Sequence, residues 1–151
     1  MYYLGNGMAT EFTVPSCRVF PVSELQGEKI RVLRYQHYDI ASDAGLCTYL
    51  AGVAESYKGK HYDWLDLISF LAMEAVNHDP RASVILSKLI GLGKDRLICS
   101  TYVATLYRKA RLYLRDVNMI DLPKLFGGTP VELTWPANFD NAPADFRLLN
   151  G

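Results

Sequence analysis

A chain of 151 residues, half of them hydrophobic and 21 % charged, has the profile of one globular domain with a sizeable core, which excludes a disordered chain. Acidic and basic residues balance to a formal net charge of zero, so the basic field that a nucleic-acid partner requires is missing. Three cysteines in no metal-ligand spacing exclude a disulfide framework and a zinc site and suit a reducing compartment, so no metal and no cofactor are expected.

The opening residues lack the basic and long apolar regions of a signal peptide, and no apolar run reaches the length of a membrane span. We therefore expect a cytoplasmic chain without a membrane span. Met1 to Leu4 is apolar and aromatic, and Gly5-Asn6-Gly7 reads as a tight hairpin turn into a strand over 8–14. Only a stub of the strand before the turn is present, which suggests a short strand or a chain that starts late relative to its relatives. Pro15 and Pro21 bracket an extended segment, Cys17-Arg18-Val19-Phe20, that proline keeps out of a central ladder. A turn or short helical piece over 23–27 follows. Charged and apolar residues then alternate over 29–35, the pattern of a half-buried strand.

Helical signals take over beyond that point. Ser42 and Asp43 are placed to cap a helix carrying Leu46, Leu50, Val53, Ala54 and Tyr57, ended at Lys58-Gly59-Lys60. A second helix is expected over 65–75, a short apolar helix or crossing over 82–90, and a turn over 122–130 leading into a last strand over 131–135. The segment 136–151, rich in Asn, Asp, Ala and Pro, reads as an irregular tail of the same single domain. The fold class expected is α+β, a small antiparallel sheet packed against helices.

Between the crossing and the turn, Ile98, Val103, Leu106, Tyr107 and Ala110 fall near helical spacing, so Cys99 stands in the first turn of a helix with one buried face. Asp95 or Ser100 could satisfy free amides at that helix start. A thiol there meets the positive end of the helix dipole, where a nucleophilic cysteine is expected. Its structural alternative is a small buried hydrophobe, and that is the reading for Cys17 and Cys47. A cysteine nucleophile needs a base, and His37, His61 and His78 all precede Cys99. That order excludes the cysteine-first arrangement of ordinary papain-like enzymes and leaves only a permuted one.

Gly59-Lys60-His61-Tyr62-Asp63-Trp64 resembles a "G-x-x-Y-D" step, and Ile98-Cys99-Ser100-Thr101-Tyr102-Val103 resembles a "C-S-x-x-V" nucleophile helix. Both occur, in this order, in the circularly permuted NlpC-type, papain-like cysteine hydrolases, the YiiX-like group related to lecithin retinol acyltransferase. Val32-Leu33-Arg34 resembles that group's "v-x-R" strand, and the likeness runs roughly from Gly5 to Trp135. The resemblance implies a papain-like fold and Cys99 as nucleophile, with Glu11 as the orienting carboxylate on a strand facing the cysteine helix. It also implies a catalytic histidine on the strand before the hairpin, a residue this sequence lacks. His61, beside the Tyr-Asp step, is the best replacement among the three histidines, and a surface histidine at a helix start is its structural alternative. Tyr62 and Ser100 are the expected substrate-binding residues.

Two functions follow from the resemblance. One is a thiol-dependent hydrolase of amide or ester bonds, acting on a peptide, amide or acyl substrate. The other is a catalytically inert papain-like fold serving as a binding or structural assembly module, as a homo-oligomer or part of a larger particle.

Overall fold

Tyr2–Gly5 (β1) turns back on Met8–Phe12 (β2) through Gly5, Asn6 and Gly7, whose φ angles of 89°, 51° and 72° are all left-handed. Only glycine and asparagine enter that region at low cost, which is why the turn carries them. The structure, a computed structural model, describes residues 1–61, 99–131, 134 and 136–149. β2 pairs antiparallel with Cys17–Pro21 (β3), giving a three-stranded sheet in the order β1-β2-β3, with Thr10 opposite Val19 and Glu11 opposite Arg18. Beyond β3 the backbone adds a short rung. Cys17 N donates to the Lys60 carbonyl at 3.0 Å, Gly59 N donates to the Cys17 carbonyl at 3.0 Å, and Ser16 bridges His61.

Ala44–Tyr57 (α1) starts where the Asp43 carboxylate accepts the Leu46 N–H at 2.9 Å, a cap that the Tyr38 hydroxyl steadies by donating to the same carboxylate. Leu46, Leu50 and Ala54, four residues apart, form its buried stripe. Cys99–Asn118 (α2) repeats the device over a longer span with Tyr102, Leu106, Ala110 and Leu114. These two stripes meet Tyr2, Leu4, Phe12 and Cys17 from the sheet to make the core. Cys17 and Cys47 are buried, as expected of small hydrophobes.

The chain's last segment departs from expectation. In place of an irregular tail, Pro136–Asp140 (α3) is helical, and Phe146–Leu149 (β5) pairs antiparallel with Val32–Tyr35 (β4), Tyr35 standing opposite Phe146. Its polar composition hides two aromatic anchors, Phe139 and Phe146, whose rings lie 5.4 Å apart. Phe146 is buried against the rings of Tyr35 and Tyr107, and its neighbour Asp145 accepts the Phe126 N–H at 2.9 Å. The strand expected over 29–35 forms only from Val32, and Lys29 to Arg31 are exposed. The helices expected over 65–75 and 82–90 lie outside the described residues, as does most of the strand expected over 131–135. Within that last stretch Thr134 N donates to the Val131 carbonyl at 3.1 Å, a local turn contact.

Candidate functional site

Cys99 is the first described residue of α2 and is partly exposed. It lines a cleft of about 620 Å3 whose walls come from Met1, Tyr2 and Tyr3 at β1, from residues 30–34 at β4, and from Ser100 and Val103 beside it. The described residues thus place Cys99 on a helix that lines a cleft, in the segment where the sequence expects a helix.

Its proposed partners are not beside it. Along β2, Thr10 and Phe12 face α2, where both touch Tyr102. Side chains alternate across a strand, so Glu11 projects from the opposite face. There its carboxylate accepts from Arg18 Nε at 2.8 Å, and the same guanidinium reaches Glu24 at 3.1 Å and covers the Phe20 ring. The expectation that Glu11 faces the cysteine helix is thus corrected: a displacement of one residue along a strand moves a side chain to the other side of the sheet. His61 sits on the rung outside β3, exposed, and does not line the cleft that holds Cys99. His37 is engaged elsewhere, its Nε2 lying 3.3 Å from Asp145 Oδ1 with its ring edge-on to Tyr35. Tyr62, Asp63, His78 and Asp95 lie outside the described residues.

Ser100 is buried, and its hydroxyl donates to the Thr134 carbonyl at 2.7 Å. Its one hydrogen is committed there, so toward a ligand in the cleft this hydroxyl is an acceptor.

Sequence reasoning missed two cleft residues, Tyr2 and Asp39. Tyr2 is buried and its hydroxyl has no hydrogen-bond partner among the described residues. Burial and the neighbouring Tyr107 push that phenol well above its ordinary pKa, so it stays a neutral donor. The same holds for Tyr35 on the cleft wall, pushed up to about 12 by burial and then by the Asp145 carboxylate. The sequence shows only that Met1 to Leu4 is apolar and aromatic, and nothing in it signals a buried hydroxyl without a partner. Asp39 is an exposed carboxylate in a loop, without a motif around it. The other acid of the cleft, Asp140, is paired with Arg31 at 3.2 Å.

The arrangement offers a thiol, a buried phenol donor and an apolar groove. Among the described residues no group of three or more His, Cys, Asp or Glu side chains is placed to hold a metal ion, and no helix is long and apolar enough to cross a membrane. Comparison with protein-family models, with curated proteins and with solved structures found no match.

Proposed function

We propose that the chain is a thiol hydrolase of amide or ester bonds, with Cys99 as nucleophile and a peptide or acyl substrate lying in the cleft between β1 and β4. The observation that carries this reading is the placement of Cys99, partly exposed, on α2 at the wall of that cleft. Cys99 Sγ attacks the carbonyl carbon, the thiol proton passes to the departing amine or alcohol, and water then cleaves the thioester to release the acid and restore the thiol. The resemblance to permuted papain-like hydrolases agrees with this nucleophile. The proton acceptor in this reading is neither Glu11 nor His61. Three free cysteines are consistent with a cytoplasmic setting.

The second reading, an inert binding or assembly module, is favoured by a specific observation. Glu11 is held by Arg18 on the far face of the sheet, and His61 is tied to Ser16 beyond β3. One experiment separates the two. Iodoacetamide labelling followed by peptide mass spectrometry gives the relative rates of Cys99, Cys17 and Cys47, and turnover is followed on an activated ester and a peptide amide. Fast labelling of Cys99 with turnover lost in Cys99→Ala supports the hydrolase. Fast labelling without turnover supports the module. Labelling of Cys99 no faster than the other two makes it a structural residue and ends the enzyme reading.

A further inference from the structure

A second cavity, of about 410 Å3, lies behind Tyr35, Ile40 and Tyr107, which line both it and the Cys99 cleft. Its size falls within the range of about 300–1,000 Å3 typical of small-molecule sites. Its floor is apolar, built from Ala104 and Ala110 on α2 and from Leu122, Leu125 and Phe126 in the turn that follows. Among the described residues its charged lining has one sign only, Arg108, Arg111 and Lys124.

Arg111 is already committed, since its Nε donates to the Leu122 carbonyl at 2.6 Å and its Nη2 reaches Asp121 at 3.1 Å. Arg108 and Lys124 are exposed and have no acidic partner among the described residues. Lys124 is brought to the cavity by packing its stem over Gly128, where an added Cβ would lie 3.5 Å from Lys124 Cδ.

The wall is preformed. Phe126 holds a left-handed conformation, φ 50° and ψ 40°, with its N–H on the Asp145 carboxylate and its ring edge-on to Phe139 at 5.0 Å. A non-glycine residue persists there only where its surroundings over-determine it.

A neutral apolar ligand would leave the two unpaired cations without a role, and a small hydrophilic anion would leave the floor in contact with nothing. We propose that this cavity binds an amphiphilic carboxylate, its head group held by Arg108 and Lys124 and its hydrocarbon body lying against Ala104, Leu122 and Phe126. The site is separate from Cys99, and the proposal does not depend on the hydrolase reading.

The test is calorimetric titration of the full chain with decanoate and with 1-decanol, which has the same chain length and no charge. Decanoate binds at one site per chain, and decanol binds at least about tenfold more weakly, the difference expected for losing a charge-assisted contact. The double variant Arg108→Gln/Lys124→Gln weakens decanoate at least about tenfold and leaves decanol unchanged. Both side chains are exposed, so the variant should fold, and its melting temperature checks that. Arg34→Gln, on the Cys99 cleft, leaves decanoate binding unchanged. Equal affinity for acid and alcohol, indifference to the double substitution, weakening by Arg34→Gln, or no decanoate binding at millimolar concentration would each overturn the proposal.

Discussion

Thr10 and Tyr102 join their hydroxyls at 2.8 Å across 92 positions of the chain, with both side chains fully buried. Each hydroxyl has one hydrogen. Thr10 also reaches the Arg18 carbonyl at 3.0 Å, an acceptor only, so Thr10 donates there and Tyr102 donates to Thr10. The bond sets the position of α2 over β2.

An unequal pair of mutational costs follows from that direction. Thr10→Val strands the buried Tyr102 hydroxyl and should cost about 1–3 kcal/mol. Tyr102→Phe leaves Thr10 still bonded to Arg18 and should cost about 1 kcal/mol. The double variant should cost less than the sum, because the same bond is lost in both. Urea unfolding measures all three.

Alkali should destabilise the fold through its buried phenols. Tyr2, Tyr35, Tyr102 and Tyr107 are all held above the ordinary tyrosine value, chiefly by burial, Tyr35 at about 12. The folded chain therefore binds more protons than the unfolded chain above pH about 10. For Tyr35 the stabilisation is complete below that pH and is lost as pH rises from about 10 through about 12. Unfolding free energy against pH, read beside tyrosinate absorbance, should fall in that window; a flat profile would contradict the burial of these rings.

Gly5 and Gly7 should respond differently to alanine although both have positive φ. A Cβ on Gly5 would lie 2.9 Å from Cys47 Sγ, whereas Gly7 has open space around it. Gly7→Ala should cost about 1–2 kcal/mol for the left-handed backbone alone. Gly5→Ala adds overpacking of about 1–3 kcal/mol. Thermal melts of the two variants test the difference.

Ser100→Ala removes the hydroxyl that fixes the start of α2 to Thr134 and should cost about 1 kcal/mol. The iodoacetamide rate of Cys99 should change with it, while those of Cys17 and Cys47 should not. Equal changes at all three thiols would mean that the variant simply loosens the whole fold.

What the sequence disclosed was local. Asp43 as a cap, the Gly5-Asn6-Gly7 turn and the stripe of α1 are patterns within a few residues, and the structure forms each of them. On α2 Leu106 and Ala110 are buried as expected, Val103 and Tyr107 only half-buried, and Tyr102 and Leu114 complete the buried stripe. What it hid was the face a strand presents. Thr10 and Glu11 are neighbours, and no local signal says which of them turns toward α2. β5 was hidden for a related reason, because Phe146 has its meaning only beside Tyr35 and Tyr107.

The pairing of β4 with β5 bears on the order in which a ribosome could build this protein. Val32–Tyr35 is synthesised early, yet its partner strand emerges only with Phe146–Leu149. Gln36 waits as well, since its N–H and its side-chain amide are met by the carbonyls of Asp145 and Pro143. Closing so long a loop is entropically slow, so the β1-β2-β3 hairpins can form on the nascent chain while β4 stays unpaired. During that interval Val32–Tyr35 is an open strand edge available to other chains, with Val32 exposed. Truncation just before Phe146 should therefore promote aggregation far more than its few residues suggest.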